Sequence, residues 1–295
     1  MNLVSVACAL CGETEACLVE RKATPTGERL SIVRCARCRL VYVSPRPRPE
    51  QLAELYRKSG YYEAASSIVG YQDYVGDRDV HEIFFSRQLD AIERHVKPGR
   101  LLDVGCAVGF LLDVARRRGW NTVGVEPSEF ASDYARRELG LDVRTVTLPE
   151  AGFADGEFDA IVMDDVIEHL CHPERELREV ARILKPGGVA LVRTPNIASP
   201  WYTLTRRHWV HLKPGEHLYY FSPRTLKALV RRAGLAKVWW RPSGRTTHVR
   251  YMLSRVKYFS GPLARTLTAA AMAIPGTGVP FDFRSGELEM LVRRR

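Results

Sequence analysis

Apolar residues along this chain change their period several times. Leu101 to Val104 run almost unbroken as L-L-D-V, and a turn carrying Gly105 and Gly109 follows. From Leu111 and Leu112 the pattern becomes amphipathic until about Gly119, the spacing of a helix. Trp120 to Glu126 is a second short apolar strand that ends in a carboxylate, and Pro127-Ser128 caps a helix through about Leu139 that Gly140 closes. Leu141 to Val146, Ala160 to Met163 and Val189 to Arg193 read as three more strands, with a helix over Pro173 to Leu184 before the last of them. Ser222 opens a helix to Ala233, Leu235 to Trp240 is a sixth strand, and Leu288 to Val292 a seventh. Strands alternating with helices predict an α/β protein with a doubly wound, mostly parallel, seven-stranded Rossmann-like sheet. Such sheets bind ligands at the carboxyl ends of their strands.

Ahead of that core the pattern is different. Leu18 to Arg21, Leu30 to Arg34 and Leu40 to Val43 are short strands around the turn Thr24-Pro25-Thr26-Gly27. Two Cys-x-x-Cys pairs, Cys8/Cys11 and Cys35/Cys38, flank them, and each pair presents two thiolates from a tight knuckle. Four thiolates complete a tetrahedral shell for a structural Zn²⁺, so residues 1–45 read as a zinc ribbon with no open position for chemistry. A redox dithiol, two disulfides or a lipid-bearing Cys8 are the competing uses. Cys17 is expected to be a buried thiol, and Cys106 and Cys171 to be structural. Ser44 to Pro49 is Pro-rich and predicts a stiff linker, so residues 46–98 form a linker and helical run-in or lid. The run-in holds a polar helix over Glu50 to Lys58, an aromatic loop with Tyr61, Tyr62, Tyr71 and Tyr74, and a core-facing helix over Asp79 to His95. The remainder, 99–295, is one catalytic-sized domain.

Charge changes the picture only at the far end. The whole chain carries a formal +10, yet residues 101–200 hold 11 Lys/Arg against 17 Asp/Glu and residues 201–295 hold 18 against 4. A one-sided basic segment suits an anionic partner, whether nucleic acid, an acidic acceptor or a membrane surface, or else it is a solvated arginine-rich face. Within it, 251–274 mixes apolar and basic residues in an insertion at about 250–280. That segment reads as an interfacial helix at an anionic bilayer, a lid, or a dimer contact. No apolar run is long enough to span a bilayer, and the start lacks the basic residues of a secretion signal. The expected location is cytoplasmic, with peripheral membrane contact through 251–274.

The candidate chemistry sits on the strand ends. Asp103-x-Gly105-Cys106-Ala107-x-Gly109 places an acid two residues before the first glycine, and Glu126 tips the second strand where a carboxylate can accept from both hydroxyls of a ribose. This turn, together with G-V-E-P-S, D-D-V-I-E-H-L, R-I-L-K-P-G-G and T-P-N in order across 101–196, resembles the class I S-adenosylmethionine (SAM) methyltransferases. The group that includes the ubiquinone-biosynthesis O-methyltransferases is the most similar. The family's middle glycine is Ala107 here. The resemblance implies SAM as cofactor, with Gly105 and Gly109 on its methionine side, Asp103 and Cys106 also at the cofactor, Glu126 on the ribose, and the stretch from Asp164-Asp165 closing the methionine end. It also implies an acceptor-side histidine. His217 is the first choice for a base or orienting group, and His169 and His211 are alternatives. His169 is expected to start the helix after the fourth strand, which suits a cap as well as a base.

These features predict O-methylation of a small, glycan or lipid-linked acceptor. An RNA methyltransferase using the ribbon and the basic third is the alternative, and a SAM-binding partner protein without activity is a third reading.

Overall fold

The computed structural model describes residues 3–24, 27–52, 78–248 and 279–295. The aromatic loop with Tyr61, Tyr62, Tyr71 and Tyr74, most of the predicted polar helix, and the segment 251–274 lie outside the described residues.

Five strands make the N-terminal module: β1 (Leu3–Val4), β2 (Ala16–Ala23), β3 (Arg29–Cys35), β4 (Val41–Val43) and β5 (Arg46–Pro47). β2, β3 and β4 form an antiparallel ladder, and β1 pairs with β5. The Pro-rich stretch is therefore no free spacer. Arg46 is buried, and its guanidinium donates to the Tyr219 hydroxyl at 2.9 Å and to the Cys171 carbonyl at 3.2 Å. Cys17 is exposed rather than buried, on β2, the edge strand of the ladder among the described residues.

The main layer follows. α1 (Arg78–Glu93) leads into β6 (Arg100–Val104), α2 (Phe110–Arg117), β7 (Asn121–Val125), α3 (Glu129–Leu139), β8 (Val143–Arg144) and β9 (Phe158–Asp164). Next come α4 (Pro173–Ile183), β10 (Leu184–Pro195), α5 (Pro200–Thr205), β11 (Tyr219–Tyr220), α6 (Pro223–Arg232), β12 (Leu235–His248) and β13 (Pro280–Arg294). The seven-stranded sheet has the order β12-β13-β10-β9-β6-β7-β8. Its inner neighbours are parallel, and β13 runs antiparallel to both β10 and β12. Ser128 caps α3 by accepting from the Ala131 N–H, and Gly140 ends the helix in the left-handed region at φ 61°, which glycine adopts freely. β6, β9 and β10 are buried on both faces, as their unbroken apolar runs require.

Two strands outrun their sequence pattern. β12 and β13 continue to His248 and from Pro280 as a long hairpin, through Arg241 to Thr247 where no apolar alternation marks a strand. Backbone pairing carries them there. β8, at the opposite sheet edge from β12, is only two residues long.

The N-terminal module is not a separate bead. β11, from the main domain, pairs antiparallel with β4, matching Tyr219 to Tyr42 and Tyr220 to Val41. Cys8, Leu10, Cys35, Leu40 and Tyr42 share one hydrophobic cluster with Leu102, Val104, Leu218 and Phe221.

Candidate active site

The turn after β6 is left-handed at three positions. Gly105 has φ 68°, Ala107 φ 49° and Gly109 φ 87°. A Cβ on Gly105 would lie 2.7 Å from Val166 Cγ2, and one on Gly109 2.5 Å from Leu141 Cδ1, so both glycines are demanded by packing as well as by backbone angle. Ala107 occupies a conformation that costs a non-glycine residue about 1 kcal/mol. Glu126 holds it there: one carboxylate oxygen accepts from the Ala107 N–H at 3.0 Å, and the other accepts from the Ser128 N–H at 2.9 Å. Cys106 turns inward. Its buried sulfur sits 2.6 Å from where a Gly124 Cβ would be, so it packs the turn on β7 rather than facing the opening.

Asp103, Glu126 and Asp164 converge on this edge from β6, β7 and β9. Burial, then the neighbouring Asp164 and Glu126, push the Asp103 carboxyl well above its ordinary value. Three acids crowded at one opening favour a ligand that brings positive charge.

Asp164 and Asp165 have a second commitment. Arg193 on β10 has a fully buried side chain, and its guanidinium lies 3.0 Å from Asp164, 2.8 Å from Asp165 and 2.9 Å from Glu287 on β13. Arg245 on β12 reaches the same Asp165 oxygen. Burial opposes ionisation of Asp165, yet Arg193 and Arg245 outweigh it and hold that carboxyl far below its usual range. Sequence reasoning missed Arg193 and Glu287. The one signal for the arginine was a charge closing the otherwise apolar run Val189 to Val192.

The three candidate histidines lie next to this network. His169 does not start a helix. It ends a turn that precedes α4, which begins at Pro173. Its Nδ1 meets the Glu216 carbonyl at 2.9 Å, and its ring packs edge-on against His217 with centroids 4.8 Å apart. His217 Nδ1 meets the His211 carbonyl at 2.8 Å. A carbonyl only accepts, so both Nδ1 atoms carry the proton and both Nε2 atoms are the basic ones. Burial lowers both imidazoles and keeps them neutral. His211 stands apart, with its Nε2 3.3 Å from Glu287 and 3.2 Å from the Ser285 hydroxyl.

Glu168, also missed as a site residue, completes the group. It is fully buried, with one oxygen accepting from the Thr194 hydroxyl at 2.9 Å and the other without a hydrogen-bond partner among the described residues. That second oxygen lies 4.0 Å from His169 Nε2. One donor atom from each of Glu168, His169 and His217 falls within 4.8 Å of the others, a set able to hold a divalent cation.

The other donor cluster is in the N-terminal module. The sulfurs of Cys8, Cys11, Cys35 and Cys38 all lie within 4.8 Å of one another, with Cys8–Cys38 at 3.3 Å and Cys11–Cys35 at 3.5 Å. Burial pushes the Cys8 thiol up and the Cys38 thiol to about 11. Against burial, hydrogen bonds from its neighbours lower the Cys35 thiol to about 7, and the four sulfurs together fit the donor set of a closed zinc site.

Among the described residues no helix is long and apolar enough to cross a membrane.

A family model described as a methyltransferase domain matches residues 77–239. The ubiquinone biosynthesis O-methyltransferase of Roseobacter denitrificans is 31% identical over 182 residues, which cover 54% of this chain and 73% of that protein. The protein of that name in Rhizobium etli is 35% identical over 102 residues, 33% of this chain and only 41% of its own length. A solved SAM-dependent methyltransferase of Thermotoga maritima, a possible histamine N-methyltransferase, superposes with a TM-score of 0.50 over 76% of this chain and 95% of its own. At 21% identity that likeness is one of fold.

Proposed function

This chain belongs to the methyltransferase-domain family and is a SAM-dependent methyltransferase, and from that premise we propose that it methylates a hydroxyl oxygen of a small acceptor, free or carried on a glycan or lipid. The observation that carries this reading is the buried pair of neutral imidazoles beside Glu168. A sulfonium is already a good leaving group, so aligning the acceptor does most of the work. An alcohol must also lose a proton, and it needs a base that is neutral at the working pH.

SAM would lie along the carboxyl ends of β6, β7 and β9. Its sulfonium and ammonium would meet the charge gathered by Asp103 and Asp164, and Glu126 would take the ribose. Glu126 already grips the turn backbone, so the same side chain would fix the shape of the site and read the ribose. His217 is the proposed base through Nε2. His169 orients it edge-on, and Glu168, whose carboxyl burial pushes well above its ordinary value, stands close to both rings. A divalent cation on Glu168, His169 and His217 would occupy that same His217 Nε2, and so would compete with the base role rather than add to it. In the N-terminal module the four cysteines would hold zinc as a structural ion. Their place in the core beside Leu218 ties that ion to the His217 segment.

The test is a substrate search. Methyl-labelled SAM is incubated with cell extract, and the products are separated into lipid, glycan, small-molecule, RNA and protein fractions. Base-labile label would mark a carboxyl ester, whereas an ether survives base. Alkali-stable label in the first three fractions, lost in His217→Gln, supports the proposal. Label confined to RNA overturns it in favour of the nucleic-acid reading. Failure to bind SAM in calorimetry would remove the proposed donor site itself.

A further inference from the structure

The edge strand β2 and the segment that follows β10 enclose a groove of about 310 Å³, away from the acidic strand ends. Its walls carry four arginines: Arg34 and Arg39 from the N-terminal module, and Arg206 and Arg207 from the turn after α5. Leu18, Val19 and Leu212 line it as well, and Glu20 is its only carboxylate. None of the four guanidiniums has an ion pair among the described residues. About half of the other arginines among the described residues are matched to acids, such as Arg78 to Glu82 and Arg178 to Glu174.

Two of these arginines stand where glycine would be the unstrained choice. The two cysteine knuckles close in the same way: the Gly12 N–H bonds the Cys8 carbonyl at 2.8 Å, and the Arg39 N–H bonds the Cys35 carbonyl at 3.2 Å. Both closing residues are left-handed, at φ 75° and φ 69°, so the second knuckle carries an arginine at a position the first gives to glycine. Arg206 caps α5 at φ 48° and ψ −120°, again a backbone state that suits glycine. Their side chains meet in one groove.

We propose that this groove is a binding site for a diphosphate-bearing small molecule. Four guanidiniums offset by one carboxylate complement the charge of a diphosphate, and the planar fork of arginine matches phosphate oxygens two at a time. The volume admits a diphosphate with a modest organic body lying on Leu18 and Leu212. A nucleic acid strand fits less well. Single-stranded RNA is gripped by stacking on open aromatic faces, and the groove's one aromatic, Tyr202, is buried with the Arg206 guanidinium over its ring at 5.8 Å. The site shares no residue with the proposed methyl-donor edge and does not depend on the acceptor being an alcohol. It does share a segment with the acceptor side, since Trp209 packs edge-on against both Tyr202 and His211.

The test is calorimetric titration of the full-length, zinc-loaded chain with inorganic pyrophosphate, with sulfate at equal ionic strength as control. Saturable one-to-one binding is expected, at least tenfold tighter than sulfate. Arg39→Gly and Arg206→Gly should each weaken it about tenfold or more, the loss of a charge-assisted contact. Because glycine relieves both backbones, the thermal midpoints of these variants should stay level or rise, which separates lost binding from lost fold. Arg207→Gln should weaken binding with no backbone effect at all. Unchanged affinity in these variants, or pyrophosphate no better than sulfate, overturns the proposal. So does binding to RNA or to phosphatidylglycerol vesicles that pyrophosphate fails to displace.

Discussion

Replacing Arg193 by Met keeps the side chain's length and apolar stem but deletes the charge at the centre of the strand ends. The magnitude follows from what is left behind. Asp165 retains Arg245, so its loss is partial. Glu287 keeps the Ser285 hydroxyl at 2.9 Å and His211 at 3.3 Å, but no permanent cation. Asp164 has no other ion pair among the described residues. Removing one member of a buried ionic group costs about 3–5 kcal/mol, because the partners stay buried and unpaired. In a domain of this size about 2–3 °C of melting temperature accompanies each kcal/mol, so a fall of roughly 6–15 °C is expected near pH 7.5. The fall should depend on pH. In the native chain Arg193 holds Glu287 below its usual carboxylate range against the opposing pull of burial, as it does Asp165. Those two contributions are present above the unfolded carboxylate pKa of about 4 and fade as pH falls through it. Without the arginine, burial dominates Asp164 and Glu287, whose folded values then lie above the unfolded ones, and the penalty grows as pH rises. The gap between native and variant melting curves should therefore be wide at pH 8 and narrow at pH 5. Differential scanning fluorimetry across that range reads it directly. A gap that is flat with pH, or smaller than about 2 °C throughout, would refute the view that Arg193 is held by charge.

Three further outcomes are expected. Glu126→Ala should weaken SAM binding by about 10–100-fold, since it removes hydrogen bonds to a charged group and releases the Ala107 turn; calorimetry giving an unchanged Kd would refute the ribose role. Stripping the four-cysteine site with a strong chelator should expose the Val43 amide to hydrogen exchange, because that N–H donates to the Leu218 carbonyl at 2.9 Å beside the β4–β11 pairing, while β6 amides stay protected. Equal protection with and without chelator would mean the module folds without metal. Burial raises Glu176 on α4 to about 7, so the folded state favours its protonated form and loses stability as pH climbs from about 4.5 through 7. Glu176→Gln should then gain about 1–3 kcal/mol at pH 8 and almost nothing at pH 4.5 in chemical denaturation; equal gains at both would refute it.

Much of the sheet was legible because its signals are local. The continuous apolar runs of β6, β9 and β10, the Ser128 and Ser222 caps and the Gly140 stop each act within a few residues, and they appear where the sequence puts them. The paired cysteines were legible for the same reason, since the knuckle spacing is itself the geometry. What escaped notice depends on contacts distant in sequence. Arg193 and Glu287 meet across a strand pair, and nothing near either residue announces the other. Cys17 was expected inside because cysteine is apolar, but it stands exposed on the edge strand of the ladder among the described residues.

The N-terminal module shows why the largest difference lies at the domain boundary. Read by composition, it ends at the Pro-rich stretch and hangs on a linker. In the structure that stretch is pinned by Arg46 to Tyr219 and Cys171, and β11 leaves the main domain to complete the module's sheet. β11 begins two residues after His217, and the Leu218 and Tyr219 N–H groups both reach the Glu168 carbonyl, at 2.8 and 3.2 Å. The four-cysteine site is thus bonded through one ladder and one turn to the imidazole proposed as base and to the carboxylate beside it. A metal held by the four cysteines, with no open coordination position, would act on the proposed base only by fixing where the His217 backbone runs. Substitutions in β4 that weaken its pairing with β11 should then lower turnover more than they lower SAM affinity.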